Sequence, residues 1–91
     1  MSNKPDEAKG YVMSFAQIRV SQSYQASGAW TGFINKGNAV VTVNNNLPID
    51  PGSYFFPPDP MPKDWDETAY QIQFDASETA PLIIVVRKTY M

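Results

Sequence analysis

The sequence contains no histidine and no cysteine. Histidine is the commonest general base and metal ligand near neutral pH, and cysteine supplies the most reactive nucleophile among the side chains. Their absence excludes the usual hydrolase constellations, thiolate metal sites and disulfide bonds. We therefore predict that the protein is not an enzyme, and we assign it no cofactor and no metal ligand.

Long hydrophobic runs are also missing. The longest run is Leu82–Val86, between Pro81 and the basic pair Arg87 and Lys88, whereas a membrane-spanning helix needs about 20 apolar residues. The first ten residues, MSNKPDEAKG, lack the apolar segment of a secretory signal. We expect no membrane span, no signal peptide and synthesis in a cytoplasm.

Positive charge is sparse, because seven basic residues are scattered through a chain of net charge −2. Binding to a phosphate backbone needs a basic face, so nucleic acid is not an expected partner. The 91 residues suffice for a single core. We predict an N-terminal arm over residues 1–10, which are polar and aperiodic, and one β domain over residues 11–91.

Period-two alternation, which is typical of strands, dominates the remainder. It covers Tyr11–Val20 and Tyr70–Phe74, and the continuous run Leu82–Val86 predicts a central strand covered on both faces. No segment shows a sustained helical period. The alternation predicts a core that includes Val12, Ile18, Val20, Val41, Val43, Ile72, Phe74, Ile83 and Val85.

Turn residues separate these strands. Lys36-Gly37-Asn38 predicts a hairpin between strands at Ala29–Asn35 and Ala39–Val43, and Pro51-Gly52 predicts a type II turn. The segment Ser21–Gly28 is either a loop or a weak edge strand around Tyr24. Six or seven short strands predict an all-β fold, as a small antiparallel sandwich or a barrel.

The segment Pro57–Glu67 holds four of the eight prolines and is predicted to be an extended surface loop. Its proline run is either a stiff connector between sheets or a polyproline ligand for an aromatic groove. Its acidic residues form either a solvated loop or a calcium site, although their spacing fits no known calcium loop.

Six aromatic side chains are predicted to be exposed and are the candidates for recognition, namely Trp30, Phe33, Tyr54, Phe55, Phe56 and Trp65. Trp65 lies between two acids, so its ring either covers the protein's own sheet as a lid or reaches into a partner. The predicted contact surfaces are the arm and the proline-rich loop. The candidate partner-binding residues are Trp65, Asp64, Asp66, Met61, Tyr54, Lys4 and Lys9.

The phrase VTVNNNLPIDPGSYF at Val41–Phe55 resembles one that recurs in small β-rich structural proteins of bacteriophages. It comprises a strand ending in Asn, a Leu-x-Ile pair, Pro-Gly and an aromatic strand start. In unrelated β-sandwiches, similar phrases make a crossing between strands. The resemblance implies a non-enzymatic virion component, such as a decoration, spike-base or fibre-attachment subunit. It also implies a homo-oligomer that associates with a larger virion protein.

Two other functional classes stay open. One is a monomeric binding module for carbohydrate or a host protein, with Trp65 and Tyr54 as its platform. The other is an acidic inhibitor or regulator of a host protein.

Overall fold

The computed structural model describes residues 11–59 and 64–90, and the regular structure of this part of the chain is entirely β-strand. Residues 11–59 and 64–90 form eight strands, where the sequence indicated six or seven for the domain. In chain order they are β1 (Tyr11–Ile18), β2 (Gln22–Gln25), β3 (Trp30–Asn35), β4 (Val41–Val43), β5 (Leu47–Ile49), β6 (Tyr54–Phe55), β7 (Ala69–Phe74) and β8 (Ile83–Tyr90).

The strands form two four-stranded antiparallel sheets. Sheet A has the order β1-β8-β3-β6, and sheet B has the order β2-β7-β4-β5. The apolar run of β8 is central in sheet A, as predicted, and Tyr24 lies in an edge strand of sheet B. The all-β prediction is confirmed.

One hydrophobic core draws on both sheets. The predicted residues Ile18, Val41, Val43, Ile72, Ile83 and Val85 are buried in it, and Phe74 packs against it half-buried. The prediction of burial is wrong for two residues, because Val12 is 54% exposed and Val20 is 65% exposed. Val12 lies at the start of an edge strand, and Val20 lies just beyond its end, so alternation alone overstated their burial.

The predicted hairpin between β3 and β4 is also wrong, because β3 belongs to sheet A and β4 to sheet B. The connection at Gly37 is held by the segment before β8 instead. The backbone N–H groups of Lys36 and Gly37 both donate to the carbonyl of Leu82, and that of Asn38 donates to Ala80. The chain therefore uses these residues to change sheets.

The segment that carries the family resemblance forms β4, β5 and β6 and passes from sheet B to sheet A. Asn44 and Asn45 have φ angles of 53° and 64° in the β4–β5 turn, as side chains that tolerate left-handed backbone allow. Gly52 has φ of 84°, and Ser53 N–H donates to the Asp50 carbonyl at 2.9 Å. The positive φ predicted at Gly52 is confirmed.

The side chain of Asn35 joins two of these connections, β3–β4 and β5–β6, from a fully buried position. Its Nδ2 donates to the carbonyls of Ala39 and Ile49 at 2.7 and 2.9 Å, and its Oδ1 accepts from Gly37 N–H at 3.1 Å. A buried amide is stable only when its polar atoms are paired. Asn35 therefore fixes the ends of β3, β4 and β5 relative to one another.

The predicted arm over residues 1–10 lies outside the described residues. Within residues 11–59 and 64–90, no helix occurs that could cross a lipid bilayer.

Candidate functional site

A cavity of about 300 Å³ opens where the first residues of β3 and β7 meet the connection that follows β6. Four of its lining residues belong to strands, namely Trp30 and Thr31 in β3, Phe55 in β6 and Tyr70 in β7. The remainder of its wall includes Pro57, Pro58, Asp64 and Asp66 from the predicted proline-rich loop. This loop therefore lies beside both sheets.

Asp66 ties the loop to the body of the protein. It forms an isolated antiparallel bridge with Gly28. The Asp66 N–H donates to the Gly28 carbonyl at 2.6 Å, and the Gly28 N–H donates to the Asp66 carbonyl at 3.3 Å. Its carboxylate accepts from Thr68 N–H at 3.0 Å and from the Tyr70 hydroxyl at 2.6 Å. These bonds hold one carboxylate at the cavity wall.

The Tyr70–Asp66 hydrogen bond couples the ionisation of the two groups. Burial of Tyr70, its hydrogen bond to Asp66 and the negative charge of Asp66 raise the pKa of Tyr70 from 10.0 to about 12. Burial alone would raise the pKa of Asp66, but bonds from Tyr70 and Thr68 outweigh burial and lower it. At neutral pH the cavity wall therefore carries an ionised Asp66 and a neutral Tyr70.

Thr31 is the unusual polar group of this wall. It is only 2% exposed, and its hydroxyl oxygen has no hydrogen-bond partner among the described residues. The hydroxyl makes a small contribution to lowering the pKa of Asp66 without forming a hydrogen bond to it. Buried hydroxyls are normally paired, and the acceptor that this side chain acts on is the Asp66 carboxylate.

A second candidate surface lies on the outer face of sheet A. Alternation along β1 places Met13 and Phe15 opposite to the core-facing Ile18, and alternation along β6 places Tyr54 on the same outer face. The ring of Phe56 lies 4.7 Å from that of Tyr54. These four exposed side chains, Met13, Phe15, Tyr54 and Phe56, are called the outer patch below.

The middle of this outer face is covered by Trp30. Its ring centroid lies 5.4 Å from that of Phe56, and the Lys88 ammonium lies 4.2 Å from its centroid. Its Nε1 donates to the carbonyls of Pro57 and Pro58 at 2.8 and 3.0 Å. The expectation that Trp30 is exposed is wrong, because its side chain covers its own sheet and connects that sheet to the proline-rich loop.

Phe33 is also wrongly placed among the exposed aromatics. It is buried in the core, where its ring meets that of Tyr70 edge-on at 5.1 Å. Tyr54, Phe55 and Phe56 are exposed as expected.

The predicted partner-binding residues do not form one cluster. Asp64 and Asp66 line the cavity, whereas Tyr54 lies in the outer patch. Trp65 is 53% exposed and its Nε1 donates to Glu67 at 2.9 Å, which favours the partner-facing alternative over the lid. The remaining three predicted residues, Met61, Lys4 and Lys9, lie outside the described residues.

Sequence reasoning did not assign a role to Thr31 or Tyr70, because both follow an ordinary strand alternation. The sequence did indicate the exposed apolar surface at Met13 and Phe15, since these residues make the second face of β1 apolar at its start. Among residues 11–59 and 64–90, no group of three or more acidic side chains could hold a metal ion.

Comparison with protein families, with curated proteins and with solved structures gives no match for this chain. The arguments about function therefore depend on the geometry of the cavity and of the outer patch.

Proposed function

We propose that the protein is a non-enzymatic assembly protein, built as a small β-sandwich, that works by associating with other protein chains. The observation that supports this most directly is the outer patch, in which four large apolar side chains are exposed. The patch consists of two groups, Met13 and Phe15 on β1 and Tyr54 and Phe56 at the opposite edge of sheet A. Exposed groups of large apolar side chains are typical of interaction sites.

The edge of sheet A supports the same proposal. Strand β1 is an edge strand of eight residues, YVMSFAQI, without charge, proline or glycine. Natural edge strands are usually protected by charged side chains, proline, bulges or shortness. An unprotected edge of this length can pair with a strand from another chain through its outward N–H and C=O groups.

The occupant that fits this edge is a second copy of the chain. Two copies of β1 can pair antiparallel around a twofold axis, and no like charges would meet because the strand has none. Such pairing joins two copies of sheet A edge to edge and brings the two sets of Met13 and Phe15 together. The proposed state is therefore a homo-oligomer.

The resemblance at Val41–Phe55 supports a more specific role as a phage virion component that also binds a larger virion protein. In that role the protein is made in the host cytoplasm and located in the virion, as a decoration, spike-base or fibre-attachment subunit. The larger partner would contact the part of the outer patch that lies away from β1, around Tyr54 and Phe56.

The second candidate function is a monomeric binding module, which is favoured by the cavity beside Thr31. Neither Trp65 nor Tyr54 lines this cavity. A module of this kind would therefore use the cavity residues rather than the aromatic platform expected from the sequence.

Multi-angle light scattering on the full chain tests the proposal. Phe15→Glu places a charge on the outer patch at a side chain that is 64% exposed, so the monomer should still fold. The matched control is Gln73→Glu, an exposed position on sheet B. The proposal predicts an oligomer for the wild type and the control, and a monomer for Phe15→Glu. A wild type that stays monomeric at all concentrations would favour the binding module.

A further inference from the structure

We infer that β1 pairs with β1 of a second copy of the chain in one register, in which Ser14 of each copy lies at the twofold axis. In this register Met13 of each copy lies opposite Phe15 of the other. The register rests on the association through β1 that is proposed above, and it specifies which residues of the two copies meet. Association and register can be measured separately.

Backbone hydrogen bonds next to β6 and β8 determine which neighbour each residue of β3 bonds to. Asn35 N–H donates to the Ser53 carbonyl at 2.9 Å, and the Asn35 carbonyl accepts from Gly52 N–H at 2.9 Å, so Asn35 bonds towards β6. Lys36 N–H donates to the Leu82 carbonyl at 3.0 Å, which is towards β8. Hydrogen-bonded and non-hydrogen-bonded pairs alternate along an antiparallel ladder. The odd-numbered residues of β3 therefore direct their backbone groups towards β6, and the even-numbered residues direct theirs towards β8.

The strand register carries this alternation across sheet A to β1. Ile34 lies opposite Ile84, so the even-numbered residues of β8 direct their backbone groups towards β3. The odd-numbered residues of β8 therefore bond to β1, where they lie opposite even-numbered residues, as in the pair of Val85 and Ala16. In the described part of the chain, the free N–H and C=O groups of β1 belong to Tyr11, Met13, Phe15 and Gln17.

Twofold symmetry then selects one register. Each free residue must lie opposite another free residue, because only such pairs can exchange hydrogen bonds. With Ser14 at the axis, Tyr11 lies opposite Gln17 of the second copy and Met13 lies opposite Phe15, so all four free residues are bonded. Moving the axis to Met13 leaves Gln17 opposite no residue of β1, and moving it to Phe15 does the same to Tyr11. Only the axis at Ser14 uses the whole free edge.

The same register matches exposed apolar side chains on the outer face of sheet A. Met13 is 49% exposed and Phe15 is 64% exposed. Side chains that lie directly opposite on adjacent strands have Cβ atoms about 4.5–5.5 Å apart. The flexible and polarizable thioether of methionine packs favourably against an aromatic ring. Each Met13 therefore covers the Phe15 ring of the other copy.

On the inner face, the register provides a neighbour for Val12. This side chain shares the face of the core residue Ile18, yet it is 54% exposed. With Ser14 at the axis, Val12 lies opposite Ala16 of the second copy, whose small side chain is half-buried. The exposed core-type residue of the monomer is therefore partly covered by the second copy.

Charged side chains stay apart in this arrangement. Arg87 of β8 lies opposite Ser14, and its Nε donates to the Ser14 hydroxyl at 3.1 Å. The two copies of Arg87 are separated by three strand spacings, which is about 14 Å between their Cα atoms. This distance exceeds the Debye length of about 8 Å at physiological ionic strength. Repulsion between the two arginines is therefore weak.

Single cysteines measure the register directly, because the natural chain has none. The variants are Val12→Cys, Ser14→Cys and Ala16→Cys, which all lie in non-hydrogen-bonded positions of the inferred interface. Residues that face each other in such positions have Cα atoms about 4.5 Å apart, within the range of about 4.4–6.8 Å that a disulfide needs. Gln73→Cys, on the exposed face of sheet B, is the control for random collision.

Oxidation in a glutathione buffer, followed by non-reducing electrophoresis, gives the rate of cross-linking. Ser14→Cys alone, and Val12→Cys mixed with Ala16→Cys, should cross-link about tenfold or more faster than the control, because only these cysteines face each other at disulfide distance. Val12→Cys alone and Ala16→Cys alone should cross-link at the control rate. The mixture leaves Ser14 unchanged, so it tests the register even if Ser14→Cys does not fold.

Two other results would overturn the register. Rapid cross-linking of Val12→Cys with Ser14→Cys would place the axis at Met13, and rapid cross-linking of Ser14→Cys with Ala16→Cys would place it at Phe15. Light scattering of the wild type distinguishes this failure from failure of the proposed function. A wild-type oligomer whose cysteine variants all cross-link at the control rate would overturn the register alone, whereas a monomeric wild type would contradict both the association and the register.

Discussion

The indole ring of Trp30 lies over Gly32, two residues further along β3. A Cβ atom at Gly32 would be 2.5 Å from Cη2 of Trp30 and 2.7 Å from Cδ1 of Phe56. Both distances are shorter than any normal carbon–carbon contact. The missing side chain of Gly32 is therefore what allows the two rings to cover the middle of sheet A.

Gly32→Ala should consequently displace both rings. We expect a loss of about 1–3 kcal/mol in the free energy of unfolding, as for other overpacked sites. Urea denaturation measures this loss, and a change in tryptophan fluorescence should report the new environment of Trp30. An unchanged stability and spectrum would contradict the packing of Trp30 on Gly32.

Truncation should lower the free energy of unfolding much more at Trp30 than at Trp65. Trp30 is 5% exposed, so Trp30→Ala should cost about 3–5 kcal/mol of unfolding free energy, as buried aromatic residues do. Trp65 is half-exposed, so Trp65→Ala should stay within about 0.5 kcal/mol of the wild type. Thermal or urea unfolding distinguishes them. A large loss for Trp65→Ala would restore the lid interpretation.

Gly52→Ala should destabilise the protein by about 1 kcal/mol, because an L-residue is strained at a φ of 84°. No atom lies within 4 Å of a Cβ built at Gly52, so this effect would come from the backbone alone. Gly52→Asn should lose less stability, since asparagine tolerates left-handed backbone. Equal melting temperatures for the wild type and Gly52→Ala would contradict the turn.

The Tyr70–Asp66 pair should make stability depend on pH at both extremes. The raised pKa of Tyr70 contributes stability below pH 10.0 that is lost as the pH rises towards about 12. The lowered pKa of Asp66 contributes stability above its ordinary value of 3.8 that is lost as the pH falls through the folded value. Tyr70→Phe should remove the alkaline loss and weaken the acid one.

Ultraviolet absorbance of phenolate measures this directly, although the chain has five tyrosines. The difference between the wild type and Tyr70→Phe should titrate with a midpoint near 12, the pKa of Tyr70. In an Asp66→Asn background, the same difference should titrate at lower pH, because the negative charge and the carboxylate acceptor are gone. A midpoint near 10 in the wild type would show that the pair is not formed.

Alternation in the sequence was sufficient to predict the residues that fill the centre of the core, such as Val41 and Ile72. It failed where burial depends on the neighbouring strand. Val12 has the alternation of a core residue but lies at the start of an edge strand. The Lys36-Gly37-Asn38 turn has hairpin chemistry, but long-range bonds to the segment before β8 determine which sheet the next strand joins.

The candidate sites were less predictable from the sequence than the fold was. Trp30 and Phe33 were predicted to be exposed. An aromatic residue in a strand can face either the core or a partner, and the sequence pattern does not distinguish the two cases. The ring contact with Phe56 and the bonds to Pro57 and Pro58 show that Trp30 covers its own sheet. Thr31 resembles any strand threonine until the structure shows its hydroxyl to be unpaired.

Amide hydrogen exchange at increasing protein concentration tests the central proposal, association through β1, most directly. In a monomer, alternate N–H groups of an edge strand face solvent and exchange quickly. If two copies pair through β1, these amides in Tyr11–Ile18 should exchange more slowly as concentration rises, and those of the sheet B edge strand β2 should not change. Exchange in β1 that is fast and independent of concentration would contradict the proposal.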